Sequence, residues 1–337
     1  MRGDALRILK EAIDGSVFNC AALGFVKDGE IVEPVTVGIA GKGTLDEFEI
    51  NADSIFDVAS VTKSVPVSTL ALIALDRQQV SLSTPVTELL SEYHSPDKHT
   101  VNFSNLLNQD LDFGFALSEM KQKDAAEIYR AIMTAPLVRS AGSSSYYCNA
   151  TSVILARTIE QIYQKPLDLI ADGEIFVPLG MRDSFFRPSQ DLRSRIVPSE
   201  IDQWRGRVIK GEIHDESSWK LNEIIIPGAA GLFSTVSDLQ KYLKEILVEE
   251  KRLFSKGFLD SRLSLAFETD QDYMGEFRGE GCFGKSGFTG SVIVGDKRKK
   301  SGFVLLTDYT YPVRKTNRDA INNVRANIAD LLWQILF

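Results

Sequence analysis

The chain has 337 residues, of which 44% are hydrophobic and 25% charged, and this composition is typical of a globular protein with a sizeable core. Its 38 Lys and Arg against 46 Asp and Glu give a net charge of −8, without the long basic block that would favour nucleic acid as a partner. The most apolar stretch, 65–75, is interrupted by Pro66 and by polar residues and is too short to span a bilayer, so we expect no membrane partner.

The amino terminus, residues 1–15, carries charges every few positions and lacks the continuous apolar region of a secretory signal, so it predicts an amphipathic helix. Three cysteines, Cys20, Cys148 and Cys282, are far apart and odd in number, which argues against a disulfide framework or a zinc site. We expect a reduced, cytoplasmic setting, or a periplasmic one if a leader was trimmed, and neither a metal nor another cofactor.

The next segments alternate between extended and helical patterns. The β-rich runs at 19–32 and 33–44, which contain a turn-like Asp-Gly-Glu, predict an antiparallel pair. A short extended run at 54–60 leads directly into a predicted helix at 60–80, whose apolar residues fall roughly on one face. Pro66 removes a backbone N–H from this helix and is expected to kink it.

The carboxyl-terminal part returns to β-rich sequence before a last predicted helix at 318–336. Runs at 282–296 and 301–309 flank the charged turn 297–300, and this pattern predicts an antiparallel hairpin.

Strands near both ends and helices between them predict a mixed α/β (α+β) fold. Its antiparallel sheet would be built from both termini and flanked by the terminal helices. We expect a sheet domain formed by 1–80 and 206–337, a mostly helical domain inserted at 81–205, and the active site between the two.

Ser60 and Lys63 stand one turn apart at the start of a predicted helix, so their side chains share a face. An amine there can take the hydroxyl proton if burial or a nearby positive charge lowers its pKa. The S-x-x-K pattern also occurs at Ser95, Ser118 and Ser217, where a helix-cap serine beside an exposed lysine is the simpler interpretation. Only Ser60 follows an extended run and precedes a long apolar helix, and this context makes it the candidate nucleophile.

Tyr147 is a second candidate, because it alone among nine tyrosines has an asparagine two positions on, Asn149. A phenol near two lysines could titrate low enough to act as a general base, and the Asn149 amide could hold a substrate carbonyl or Lys63. The alternative is a half-buried tyrosine that packs beside a helix N-cap asparagine.

The third candidate is Lys285-Ser286-Gly287, which lies on a predicted strand and is followed by Phe288. Glycine at 287 would let a substrate approach the strand edge, and the N–H of Phe288 could form an oxyanion hole together with that of the nucleophile. A second K-S-G copy at 300–302 lies just past the charged turn, where a solvated hairpin lysine explains it better.

These three elements, in this order, resemble the penicillin-recognising serine hydrolases, a group that includes class C β-lactamases, D-Ala-D-Ala peptidases and β-lactamase-like esterases. Further segments are similar to motifs of that family: FVPLGMRDSFF at 176–186, GEIHDE at 211–216 and PGAAGLFSTVSDLQKYL at 227–243. The resemblance covers roughly residues 15 to 315. One departure is LLNQDLDFG at 106–114, where the family often has LLTHTSGL, so we expect a different pocket shape.

The resemblance implies that Ser60 forms an acyl-enzyme, that Lys63 and Tyr147 share the proton transfer, and that the strand of Lys285 binds substrate. It implies a serine hydrolase that acts on a small ester or amide, with β-lactam hydrolysis as a plausible activity. A lysine at 285 would suit a carboxylate-bearing substrate. The alternatives are a D-Ala-D-Ala carboxypeptidase or D-aminopeptidase-like enzyme, and a non-catalytic binding protein of the same fold.

A Ser-His-Asp triad would have to recruit one of three histidines, and no G-x-S-x-G pattern lies near them. His94 and His99 lie in polar, loop-like sequence and are expected on the surface. His214 falls in one of the family-like segments and is expected to be structural or to line the cleft.

Overall fold

A computed structural model of the chain describes residues 1–143, 146–250 and 252–335. The strands are β1 (Cys20–Lys27), β2 (Glu30–Ile31), β3 (Val35–Ala40), β4 (Phe48–Glu49), β5 (Phe56–Asp57), β6 (Glu200–Asp202), β7 (Arg207–Ile209), β8 (Phe233–Ser234), β9 (Cys282–Ser286), β10 (Val292–Asp296) and β11 (Ser301–Thr307).

The α-helices are α1 (Arg2–Asp14), α2 (Thr69–Asp76), α3 (Val86–Leu89), α4 (Phe103–Asn108), α5 (Ala125–Thr134), α6 (Asn149–Tyr163), α7 (Leu167–Ala171), α8 (Val177–Leu179), α9 (Glu216–Leu221), α10 (Val236–Val248) and α11 (Asp319–Ile335). Short helices of the 3₁₀ or π type are Ala59–Lys63, Ser64–Ser68, Lys98–Thr100, Leu117–Met120, Asp172–Phe176, Gln190–Arg195, Phe258–Ser261, Leu263–Leu265 and Asp272–Met274.

The central antiparallel sheet has the strand order β4-β3-β1-β11-β10-β9, with β2 paired to β1. At its middle, β1 lies against β11 with Leu23 opposite Leu305. Strands from the two ends of the chain therefore meet in one sheet, which confirms the predicted α+β fold. Two small pairs, β5 with β8 and β6 with β7, lie outside this sheet.

Both faces of the sheet are covered, and the two-residue period of a strand explains how β1 serves both. Leu23 and Phe25 belong to a core shared with α1 and α11. Ala22 and Val26 belong to the core on the other face, which α10 covers. Gln240 of α10 donates hydrogen bonds of 2.8 Å to the backbone carbonyls of Phe25 on β1 and of Val32, so the helix is held by polar contacts as well as by packing.

Helices α2 to α8 pack their apolar faces into the same core as α10. The helices predicted at 1–15 and 318–336 are confirmed as α1 and α11. In the described ranges no helix combines the length and apolar character that crossing a bilayer requires. The three cysteines are buried free thiols.

The prediction of one continuous helix at 60–80 is wrong. A 3₁₀ turn, Ala59–Lys63, leads into a π turn, Ser64–Ser68, and α2 begins only at Thr69. The break lies at Val65, whose φ of −117° and ψ of 104° are not helical, because a residue before proline is driven out of the α region. The break follows Lys63, so it leaves the Ser60–Lys63 alignment intact.

The run 282–296, predicted as one arm of a hairpin, contains two strands. Strands β9 and β10 are joined by a turn in which the N–H of Gly287 donates to the carbonyl of Ser291 at 2.7 Å. The hairpin around 297–300 is confirmed as β10 with β11. Phe288 therefore lies in a turn and not on a strand, because the chain reverses directly after Ser286.

Candidate active site

The turn that carries Ser60 is fixed by a buried carboxylate, Asp57, at the end of β5. Asp57 accepts the N–H of Ala59 at 2.8 Å through one oxygen and the N–H of His214 at 2.8 Å through the other. Ala59 adopts a positive φ of 47°, which is unusual for a residue with a side chain. Asp57 thus ties the strained turn to the His214 segment, a role that no sequence motif signalled.

Lys63 lies within reach of the Ser60 hydroxyl. Its Nζ donates to Ser60 Oγ at 2.9 Å and to the carbonyl of Ala229 at 2.7 Å, and the lysine is only 2% exposed. Burial lowers the pKa of Lys63 from 10.5 to about 8, although the negative charges of Asp215 and Glu268 oppose that change. A neutral amine therefore becomes available close to neutral pH.

Tyr147 approaches Ser60 from the loop before α6. Its hydroxyl donates to Ser60 Oγ at 2.7 Å, while Lys63 Nζ and Lys285 Nζ lie 4.9 and 4.8 Å from its ring centroid. The residue is 54% exposed, but desolvation at its hydroxyl raises the phenol pKa, and the charge of Lys285 offsets this only in part. The prediction of a phenol that titrates low is wrong here, since the cost of burying a phenolate outweighs the attraction of the lysines.

Lys285 on β9 has a carboxylate partner that the sequence did not reveal. Its Nζ donates to Glu268 Oε1 at 2.6 Å, and Glu268 Oε2 accepts the hydroxyl of Tyr273 at 2.7 Å. Glu268 belongs to a loop without any recognised motif, and only the fold places it beside the strand. The fixed positive charge expected at Lys285 is thus half of an ion pair.

Asn149 is the first residue of α6, and Cys148 occupies the N-cap position expected for it. The Asn149 side-chain amide lies 3.5 Å from Asp215 Oδ2, at the limit of a hydrogen bond. Asp215 itself caps α9 by accepting the N–H of Ser218 at 2.7 Å. Asn149 therefore faces the His214–Asp215 segment across the cleft.

The backbone at Gly287 packs against the nucleophile turn. A Cβ at Gly287 would lie 2.4 Å from the carbonyl oxygen of Val58, so glycine is required for this close contact. The next residue, Phe288, stacks its ring on His214 at 5.7 Å between centroids. Within the described residues, the backbone N–H of Phe288 has no hydrogen-bond acceptor.

A cavity of about 490 Å³ opens onto Ser60, and we call it the Ser60 cavity. Its lining includes the predicted residues Ser60, Tyr147, Asn149, Ser286 and Phe288, and also Phe115, Leu117, His214, Asp215, Glu216, Glu268, Arg314 and Arg318. A second cavity of about 460 Å³, the Lys63 cavity, is lined by Lys63 and Lys285 and shares Tyr147 and Glu268 with the first. The fold thus brings all the predicted site residues except Gly287 to the lining of these two cavities. Gly287 packs against the backbone of Val58 instead.

The histidines do not form a catalytic triad with Ser60. His94 and His99 are exposed, as predicted. His214 is buried in the wall of the Ser60 cavity, and its Nε2 shares a 2.6 Å hydrogen bond with Glu200. The interpretation of His214 as structural or cleft-lining is confirmed.

The protein-family model named Beta-lactamase matches residues 7–327 of the chain. The chain belongs to the β-lactamase family. The N-acetylmuramyl-L-alanine amidase of Bacillus subtilis (strain 168) is 22% identical over 86% of the chain and 77% of the amidase. Esterase EstB of Burkholderia gladioli is 28% identical over 68% of the chain and 65% of the esterase.

Among solved structures, the octameric penicillin-binding protein homologue from Pyrococcus abyssi has a TM-score of 0.76 and 19% identity. The match covers 98% of this chain and 77% of the homologue, and at that identity it shows the fold alone. The fold and the family expected from the sequence are confirmed. These two relatives are named as an amidase and an esterase.

Proposed function

We propose that this protein is a serine hydrolase that forms an acyl-enzyme at Ser60 and hydrolyses small esters or amides. The observation that carries the proposal is the convergence of two proton-bearing groups on one oxygen. Lys63 Nζ and the Tyr147 hydroxyl lie 2.9 and 2.7 Å from Ser60 Oγ. Distances of that length allow direct proton transfer during attack on a carbonyl carbon.

Lys63 is the base in this proposal, because its pKa of about 8 leaves part of it neutral near pH 7. As Ser60 Oγ bonds to the carbonyl carbon, its proton moves to Lys63 Nζ and the carbonyl oxygen becomes an oxyanion. The N–H groups of Ser60 and Phe288 are the candidate donors to that oxyanion.

Tyr147, whose pKa is raised, stays protonated and acts as the proton carrier. It gives its proton to the leaving oxygen or nitrogen as the carbon–leaving-group bond breaks, and it is reprotonated by Lys63. Deacylation follows the same route with water as the nucleophile: water loses a proton through this pair, and Ser60 leaves with a proton.

The size and lining of the Ser60 cavity support a small substrate with an apolar part. A volume of about 490 Å³ suits a small molecule, and Phe115, Leu117 and Phe288 offer apolar contact to an acyl or alcohol group. Esterase EstB and the Bacillus amidase are relatives with ester and amide in their names. We therefore place esters and small amides first, and β-lactams as a further substrate class.

The test combines a short p-nitrophenyl ester, a chromogenic cephalosporin and mass spectrometry of the intact protein. We expect turnover of the ester and a transient acyl adduct on wild type, and neither with Ser60→Ala. Ser118→Ala is the matched control, because Ser118 also begins an S-x-x-K pattern and lines the same cavity. The Ser118→Ala variant should still form the acyl adduct.

Cephalosporin turnover would add β-lactamase activity, and release of D-alanine from a D-Ala-D-Ala peptide would favour the carboxypeptidase alternative. The absence of turnover and of any adduct at Ser60 with all of these substrates would refute the proposal. That outcome would favour a binding protein of this fold.

A further inference from the structure

Two of the positive charges around the Ser60 cavity, Arg314 and Lys285, are paired with carboxylates, while Arg318 donates to the carbonyl of Gly287. Arg314 lies 3.0 Å from Glu200 and 2.9 Å from Glu216, and Lys285 lies 2.6 Å from Glu268. In the described part of the chain, three carboxylates (Asp215, Glu216 and Glu268) and two guanidinium groups (Arg314 and Arg318) line this cavity. The site therefore does not present the excess of positive charge that would attract a carboxylate-bearing substrate.

The position of Glu268 is determined by backbone pairing and not by a flexible loop. Its N–H donates to the carbonyl of Gly284 on β9 at 2.9 Å, and the N–H of Gly284 donates back at 3.0 Å. The neighbouring residue on that strand is Lys285, so the bridge holds the carboxylate next to the ammonium group. The hydroxyl of Tyr273 fixes the second oxygen at 2.7 Å.

Lys285 is the buried half of this ion pair, whereas the Glu268 side chain is 30% exposed and faces the cavities. Lys285 is 6% exposed, and Glu268 lines both the Ser60 cavity and the Lys63 cavity. A substrate carboxylate that sought Lys285 would have to displace Glu268 or lie beside it unpaired, and like charges in such a site repel each other strongly.

We propose that Glu268 is a specificity-determining residue, which occupies Lys285 and so directs this site to acyl esters and amides that lack a carboxylate. The inference rests on the serine hydrolase function proposed above and names its substrate class more closely. The role proposed for Glu268, whose two oxygens accept hydrogen bonds from Tyr273 and Lys285, is to set the charge of the site.

The test uses two ester pairs that differ only in a carboxylate. In the first pair, p-nitrophenyl butyrate is compared with mono-p-nitrophenyl glutarate, which carries the charge on the acyl side. In the second, methyl 3-acetoxybenzoate is compared with 3-acetoxybenzoate, which carries it on the leaving group. The measured quantity is the ratio of kcat/KM for the neutral ester to that for the charged ester.

We expect wild type to favour the neutral ester in both pairs. Glu268→Gln keeps the shape of the side chain but frees Lys285, and it should shift the ratio toward the charged ester by about tenfold or more in at least one pair, the effect of one charge-assisted hydrogen bond. Tyr273→Phe is the matched control, because it removes a hydrogen bond to Glu268 without releasing Lys285, and its ratio should stay at the wild-type value.

A second variant keeps the inference testable if Glu268→Gln does not fold. Glu268→Gln combined with Lys285→Gln removes both charges of the pair and leaves the net charge of the site unchanged. Since Lys285 is already occupied in wild type, this double variant should lower kcat/KM for the charged ester no more than for the neutral one. A selective loss of the charged ester in the double variant would overturn the inference. So would an unchanged ratio in a folded Glu268→Gln protein, an equal shift in Tyr273→Phe, or a wild-type preference for the charged esters.

The two proposals fail in different ways. If wild type forms the Ser60 adduct but the ratios contradict the expectation, only the role of Glu268 falls. If no ester or amide acylates Ser60, both proposals fall together.

Discussion

In the proposed mechanism, the amino group of Lys63 determines the pH at which Ser60 can be acylated. At pH 7 an amine of pKa 10.5 is neutral in about 0.03% of molecules, whereas one of pKa 8 is neutral in about 10%. Burial of Lys63 therefore enlarges the fraction of molecules with a competent base by roughly 300-fold.

The resulting pH profile can be measured with a neutral ester. Because the neutral amine is the reactive form, kcat/KM should rise about tenfold from pH 6 to pH 7 and level off above about pH 9. Spontaneous hydrolysis, which also rises with pH, is subtracted with Ser60→Ala. An active-site burst recorded at each pH separates acylation from the later steps.

Lys63→Arg is the matched variant, because a guanidinium keeps its charge at every pH of the assay. It should lose about 10²–10⁴ in kcat/KM and show no rise toward pH 9. A wild-type profile that is flat from pH 6 to 9, or an arginine variant with wild-type activity, would contradict Lys63 as the base.

Three further changes test the site and its support. Tyr147→Phe should lower kcat by about 10²–10⁴ in steady-state assays while the melting temperature stays unchanged, because it removes only the proton carrier. Urea titrations of Lys63→Met and wild type give the difference between their free energies of unfolding. This difference should favour the variant by about 2 kcal/mol more at pH 7 than at pH 9.5. The sign follows from the low pKa of Lys63 in the folded protein. Between about pH 8 and pH 10.5 the unfolded chain binds more protons than the folded one, so the stability of wild type rises with pH. The stability advantage of the variant therefore shrinks over this range. Gly287→Ala should lower the free energy of unfolding by about 1–3 kcal/mol, measured by thermal unfolding, through its clash with Val58, and it should also reduce ester turnover. Gly173→Ala is the control and should lower that free energy little, because a Cβ there meets no atom within 4 Å. Equal losses of stability in the two variants would exclude the clash.

Local signals in the sequence were enough for much of the fold and for the chemical identity of the site. The β-rich runs at 19–32 and 301–309 lead to β1 and β11, because a run of strand-favouring residues bounded by turn residues is a local signal. Spacing alone put Ser60 and Lys63 on one face of a helical turn. Local signals failed where the chain turns sharply, at Val65 and at Phe288, because a turn depends on contacts that the pattern of apolar residues does not encode.

What the sequence by itself determined is the set of reactive groups and their local arrangement: a hydroxyl and an amine one turn apart, a phenol before α6 and a lysine on β9. Only the tertiary structure decided their chemistry. The carbonyl that accepts from Lys63, at Ala229, lies in one of the family-like segments, and the carboxylate that pairs with Lys285, at Glu268, lies outside them, but no spacing in the sequence indicated either contact. The physical reason is that desolvation and nearby charges set a pKa, and both depend on which distant segments pack around the group.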